Sequence, residues 1–289
     1  MSAVTIPTVQ TTATKFRGPA SARRWLKMAC GIVLVGFFLF PLYWMINASL
    51  QNRSALLSGN PPFFPLSPDF SGYAKAWATQ SGNLAYSMVV ALSAAVIAVI
   101  LAAPAAFAIV ALRLRWVTWV LALVLIVQML PTVVVANALY TIYSNLGLLN
   151  STVGLVLADV TLGLPFAILT LRAFMATLPS ELLEAARVDG ASYPRAFVSV
   201  ILPVSRNGMI TVGLFAFLFA WSDFLLALVL KSGGSVTPVT LGIYQYISPQ
   251  STDWNAALAT ALLASLPPAV LLIASQRYIS AGLTAGFGK

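Results

Sequence analysis

Seven carboxylates, no histidine and one cysteine leave this chain little to do chemistry with. The missing histidines remove imidazole acid–base catalysis, His metal sites and a Ser-His-Asp triad. The single thiol, Cys30, excludes a Cys-rich zinc site and an internal disulfide. The tail Gly282-Leu-Thr-Ala-Gly-Phe-Gly-Lys289 holds glycines and a lysine, but not at the spacing that cradles a phosphate. The chain is therefore expected to make and break no bonds, and to bind neither a cofactor nor a metal.

The acids fall into three sets. Asp69 and Asp253 lie in polar connections, Glu181, Glu184 and Asp189 crowd one polar loop, and Asp159 and Asp223 stand inside apolar stretches. An acid in the middle of a membrane costs about 2.5–3.5 kcal/mol on insertion scales, so it usually faces a bundle interior or a wet cavity. Three readings stay open for Asp159 and Asp223: an ion-coupling site, hydrogen bonding in a translocation cavity, or a scaffold contact. Trp221 offers a stacking surface for a ligand or plain packing. Asn137 and Tyr140, near the end of another apolar stretch, are equally ambiguous.

The elements that position these residues are apolar. The chain is 60% hydrophobic and 8% charged, with a mean hydropathy of +0.90. A membrane span needs about 20 mainly apolar residues. Six stretches qualify, at about 28–48, 86–111, 117–137, 153–173, 209–230 and 257–275. They do not alternate apolar with polar as barrel strands do, so they should be helices with every backbone group satisfied internally. The fold expected is an all-α polytopic membrane protein with a disordered cytoplasmic arm at 1–24 and a transmembrane domain at 25–289. Along the second stretch, Ser87, Ala91, Ala95, Ala98, Ala102 and Ala106 form a small-residue face suited to close helix packing. The segment 52–83 reads as an ordered loop with short interfacial helices.

Basic residues orient these spans. Lys15, Arg17, Arg23, Arg24 and Lys27, then Arg113 and Arg115, then Arg172, Arg187, Arg195 and Arg206, then Arg277 and Lys289 share one side. Only Arg53, Lys75 and Lys231 fall on the other. By the positive-inside rule both termini are expected in the cytoplasm. The net charge of +9 is mostly this bias and calls for no nucleic acid.

One polar loop, 178–206, stands out on the basic side. Pro179-Ser180-Glu181 reads as a helix start with Ser180 as N-cap. Gly190 suits a positive-φ position after that helix. Ser192 is then expected to cap a second helix at 193–201, with Pro194 in its first turn and Pro203 ending it. Glu184-Ala185-Ala186-Arg-Val-Asp189-Gly190, nine residues, then Val200-Ile-Leu202-Pro203 resembles the EAA loop of ABC importer permeases, with Val200 where Ile is usual.

The resemblance extends over roughly 84–289. Asn145-Leu-Gly-Leu-Leu-Asn150, Leu164-Pro165-Phe166, Arg172-Ala-Phe174, Asp189-Gly-Ala-Ser192, Ala220-Trp-Ser-Asp-Phe224 and Gly282-Leu-Thr-Ala-Gly286 are similar to the carbohydrate branch, specifically its smaller six-span permease. Phe287-Gly-Lys289 departs from the usual ending. The resemblance implies the type I permease fold and a multi-pass subunit of the bacterial inner membrane. It implies half of a pathway for an oligosaccharide, disaccharide or polyol-like solute. Expected partners are a larger permease, two ATP-binding subunits that hold ATP and Mg, and an extracytoplasmic solute-binding protein. Glu184, Ala185, Ala186, Asp189, Gly190, Leu202 and Pro203 are then the residues that couple to the ATPase. An ion-driven secondary transporter or channel is the alternative, and a membrane enzyme comes third.

Overall fold

Every regular element of the computed structural model is a helix among its described residues, which are 20–58, 62–65, 67–112, 116–231, 233–247 and 253–287. Most of the arm expected at 1–24 lies outside them, as do Arg113, Arg115, Lys289 and the side chains of the 282–289 tail. The elements in order are α1 (Ala20–Ser49), α2 (Arg53–Leu57), α3 (Ser71–Ala111), α4 (Val117–Gln128), α5 (Thr132–Leu146) and α6 (Thr152–Met175). There follow α7 (Glu181–Val188), α8 (Tyr193–Ala196), a π-helical turn (Phe197–Ile201), α9 (Leu202–Val204), α10 (Arg206–Ser222), α11 (Leu225–Leu230), α12 (Val239–Tyr244) and α13 (Trp254–Phe287).

Four of these helices are long and apolar enough to cross a membrane, and six spans result if each of two bent helix pairs counts as one. The chain divides at Ile46 into two units. The first is the run of α1 up to that residue, whose apolar side chains, Phe37 and Phe38 among them, are exposed. Side chains like these are costly in water and are at home in lipid.

The second unit is built around α3. At 41 residues this helix is about 60 Å long, twice the hydrocarbon thickness of a bilayer. Its small-residue face is buried. Ala91, Ala95 and Ala98 pack with Ala216, Phe217 and Trp221 of α10 and Ala264 of α13. Ala102, Ala103 and Ala106 pack with Ala167, Leu171 and Met175 of α6 and Val212 of α10. Methyl-sized side chains let the backbones come close, which is where helix association in lipid gets its van der Waals contact.

The first turns of α3 carry polar groups that hold later chain segments. Asn83 Oδ1 accepts the N–H of Thr237 at 3.0 Å, and Ser87 Oγ accepts that of Val239 at 2.8 Å. Lys75 pairs with Asp253 at 2.6 Å, just before α13 begins.

Two apolar stretches expected as single spans are each two helices. The stretch at 117–137 breaks at Met129–Pro131, and α4 and α5 meet at 94°. Pro131 has no N–H to donate and drives the preceding residue out of the helical region. α4 alone, at 12 residues, is about 18 Å long and cannot span a bilayer. The stretch at 209–230 breaks at Asp223, where the backbone is extended (φ −64°, ψ 128°) between α10 and α11. The last stretch runs well past its expected end, as α13.

Candidate functional site

The polar loop folds into a hooked pair of short helices. Glu181 and Glu184 occupy the first turn of α7, where carboxylates complement the helix dipole. Ser180 does stand just before the helix, but its backbone is itself helical and its side chain makes no capping bond. The expected hydroxyl cap is therefore replaced by backbone: Leu183 and Glu184 both donate to the Ser180 carbonyl.

The far end of α7 closes as a Schellman motif. The N–H of Ala191 reaches Ala186 O at 3.0 Å, and that of Gly190 reaches Arg187 O at 3.1 Å. This geometry requires Gly190 at φ +83°, a region that side chains strain. Arg187 then locks the corner. One of its Nη atoms donates to Ala191 O at 3.0 Å, and its guanidinium lies 4.4 Å from the Tyr193 ring centroid.

The second limb differs from the sequence expectation at both ends. Ser192 is extended, as an N-cap should be, yet its side chain makes no capping bond. Pro203 does not end the helix. The run continues through α9, because the turn at Phe197–Ile201 widens to π geometry and Leu202 N–H donates to Phe197 O, five residues back. A wider turn moves backbone carbonyls away from the proline ring, which would clash with one in a regular helix. Only after Ser205 does the chain turn, by 78°, into α10. At that joint Gly208 lies against the Phe174 ring, and a Cβ there would stand 2.7 Å from the ring.

The residues expected to couple to an ATPase are not all on one surface. Glu184, Ala185, Asp189, Gly190 and Pro203 are exposed, as is the neighbouring Val188 at 87%, while Leu202 is half-buried. Ala186 is instead the one buried residue of α7, a helix that contacts both α8 and the π turn. Its side chain is therefore packed inside this chain, while that of Ala185 faces outward. Between the hook and the ends of α3 and α6 lies a cavity of about 650 Å³, lined by Phe107, Met175, Leu183, Glu184, Arg187 and Tyr193 among others.

The pathway candidates are dispersed. Asp223 Oδ1 accepts the N–H of Leu226 at 3.1 Å and Oδ2 that of Ala227 at 2.8 Å, so the carboxylate caps α11. Thr240 Oγ1 also donates to the Asp223 carbonyl, at 2.7 Å. Trp221 is buried, stacked on Phe217 at 5.4 Å, with its Nε1 donating to Ala264 O at 3.1 Å. Asp159 is 5% exposed and its Oδ2 has no partner. Its neighbours Ala158 and Val160 belong to the same apolar cluster as Leu226 and Ala227, so both acids border that cluster. Asn137 and Tyr140 stand exposed on α5. Among the described residues no three of His, Cys, Asp or Glu come together as a metal site would need.

A clamp that the charge count alone concealed joins the α5–α6 turn to the end of α11. Asn150 holds a positive φ of 57°. Its N–H donates to Leu230 O, its carbonyl accepts Lys231 Nζ at 2.7 Å, and its Oδ1 accepts Gly233 N–H at 2.8 Å. Lys231 is buried, with its ammonium 5.6 Å from the Tyr86 ring centroid. The signal for it was present in the sequence, in the Asn150 of a quoted motif and the lone Lys231 after an apolar run.

Known proteins resemble this chain in sequence and fold. Residues 94–285 match the family described as "Binding-protein-dependent transport system inner membrane component". The diacetylchitobiose uptake system permease protein DasC of Streptomyces coelicolor is 31% identical, covering 92% of this chain and 97% of that protein. The sulfoquinovosyl glycerol transport system permease protein SmoH of Agrobacterium fabrum is 32% identical, covering 90% and 91%. The trehalose transport system permease protein SugB of Mycobacterium tuberculosis is 33% identical, covering 89% and 94%. The crystal structure of a bacterial ABC transporter involved in the import of the acidic polysaccharide alginate shares the fold, with a TM-score of 0.74 at 18% identity over 90% of this chain and 98% of that one. With more than half of its length matched by one family model and full-length relatives above 30% identity, the chain belongs to the inner-membrane components of binding-protein-dependent transport systems, as a multi-pass ABC importer permease subunit and not an enzyme.

Proposed function

We propose that this permease forms half of a translocation pathway for a carbohydrate, an oligosaccharide, disaccharide or polyol-like solute, and that the hook at 178–206 receives the ATPase stroke. Relatives named for diacetylchitobiose, sulfoquinovosyl glycerol and trehalose support the solute class. The chain works beside a larger permease, two subunits that bind ATP and Mg, and an extracytoplasmic solute-binding protein. Both termini and the hook face the cytoplasm, as the distribution of Lys and Arg favours.

The observation that carries the coupling reading is the bonded framework of the hook combined with its exposed edge. Glu184, Ala185, Val188 and Asp189 present two carboxylates around an apolar side chain, outward from this chain. The Schellman corner, the Arg187–Tyr193 stack and the continuous helical run to Ser205 leave little slack between that edge and α10. A push on α7 is passed to α10 through packed elements. α10 in turn ends at Ser222, between Trp221 and Asp223, where the chain breaks into α11.

The test is ATP hydrolysis by the assembled importer in lipid vesicles, with and without loaded binding protein. Glu184→Lys should remove the stimulation, or release the ATPase subunit, while the membrane domain stays folded. Full stimulation and full uptake by that variant would end the coupling role of the hook. The solute class is tested separately, by competition of unlabelled sugars against uptake in the same vesicles.

A further inference from the structure

α5 divides lengthwise into three sectors, and one of them has no role inside the chain. Ala136, Leu139 and Tyr143 form the packed sector, in one cluster with Leu226, Ala227 and Leu230 of α11. Val134, Ala138 and Ile142, each four residues on, form an exposed apolar sector. Asn137, Tyr140, Thr141 and Ser144 form a third, exposed and polar. Their spacing of i, i+3, i+4 and i+7 puts them on one face of an α-helix. The line ends at Val133, one turn before Asn137 and next to the break at Pro131. Thr141 Oγ1 donates to Asn137 O at 3.2 Å and can still accept. Among the described residues no hydrogen bond engages the Asn137 side-chain amide or the Tyr140 and Ser144 hydroxyls.

α5 is the longer limb of the bent span at 117–146, so this surface lies at membrane depth. Hydrocarbon offers a carboxamide and three hydroxyls no partners, which makes a lipid-facing position costly. A helix of another subunit fits this face poorly. Membrane helices pack through small residues that let backbones approach, and Tyr140, 48% exposed, stands in the middle of the sector. The apolar sector, with Ala138 between Val134 and Ile142, suits lipid or a neighbouring helix better. The polar sector is left for water and what travels in it. α5 carries no Asp, Glu, Lys or Arg, so a charged solute would meet no counter-charge here. A neutral polyhydroxy solute matches the face: its hydroxyls pair with the amide and hydroxyls, and its C–H face fits the Tyr140 ring. We propose that Asn137, Tyr140, Thr141 and Ser144 line the translocation pathway and hydrogen-bond the passing carbohydrate. The solute being a carbohydrate rests on the proposed function; the wetness of the face does not.

The assembled importer in lipid vesicles tests this, with single cysteines in a Cys30→Ser background and a charged methanethiosulfonate reagent on both sides. Asn137→Cys, Tyr140→Cys, Thr141→Cys and Ser144→Cys should react in the resting or the vanadate-trapped complex, and Val134→Cys and Ile142→Cys should not. Trehalose, maltotriose and sorbitol, supplied together with the binding protein, should slow labelling of the polar sector severalfold in the trapped complex. Tyr140→Phe and Asn137→Ala should each slow uptake of whichever of the three the parent carries, by about two- to tenfold for one neutral hydrogen bond. If Tyr140→Cys fails to assemble, Thr141→Cys and Ser144→Cys carry the labelling.

Equal labelling of the polar and apolar sectors, or no labelling of the polar sector in either state, would overturn the proposal. So would labelling without protection while these sugars still compete for uptake, because the face would then be wet but touch no solute. Absence of both protection and competition would instead remove the carbohydrate reading, and this contact with it. Sidedness affects none of these readouts, since the reagent reaches both faces of the membrane.

Discussion

Asp223 Oδ2 accepts the N–H of Ala227 at 2.8 Å, so an acid placed inside an apolar stretch by sequence is spent on the first turn of a helix. That helix, α11, has no other side-chain cap. The capping role is separable from a charge role. Asp223→Ala should lower the thermal stability of the assembled complex by about 1 kcal/mol, the usual loss of a cap. Asp223→Asn keeps an acceptor oxygen and should retain most of that stability together with most of the transport. An Asn variant with normal stability and no transport would show that the negative charge itself is needed.

Gly208 against Phe174 gives a prediction at the joint between hook and membrane. Gly208→Ala forces a methyl group into the ring and should destabilise by about 1–3 kcal/mol, the range for overpacking. Phe174→Leu in the same chain should recover much of this loss. Thermal melts of the single and double variants measure the coupling, and simple additivity would mean that the two side chains do not compete for the same space.

The corner at Gly190 makes a third. Gly190→Val places a β-branched residue at φ +83°, in a region that costs L residues roughly 1–2 kcal/mol. The expected outcome is a complex that still docks the binding protein but no longer speeds ATP hydrolysis when it does so. Tyr193→Ala, which removes the face under Arg187, should reduce the same stimulation less severely. Unaltered stimulation in Gly190→Val would show that the bend transmits nothing.

Sidedness is checked by labelling. In a Cys30→Ser background, Asp189→Cys should resist an impermeant thiol reagent in intact cells and react in inside-out vesicles. Reaction from outside would reverse the orientation and with it the assignment of the hook to the ATPase.

The clamp on Lys231 predicts a local effect. Its ammonium has a carbonyl partner at 2.7 Å in a buried site, and a charged hydrogen bond of this kind contributes about 1.5–3 kcal/mol. Lys231→Met should loosen the connection between α5 and α6 and the end of α11. Faster hydrogen exchange confined to 147–151 and 230–237 is the readout, and an exchange pattern identical to the parent would remove the clamp from the structural account.

Composition and spacing by themselves determined the class of this protein. Apolar runs of span length force helices in lipid, because nothing else there satisfies the backbone, and the Glu184–Pro203 spacing marks the hook. Gly190 was legible too, since few residues other than glycine suit a positive φ after a helix. Tertiary structure decided what periodicity cannot carry. The breaks at Pro131 and Asp223 lie inside stretches that are uniformly apolar, and hydropathy does not register a bend. Which way a small residue faces is likewise a matter of neighbours: Ala185 and Ala186 are alike in sequence, but one is exposed and the other packs inside the chain. The fate of Asp223 depended on where two backbone N–H groups three and four residues on would fall, and only a formed α11 places them.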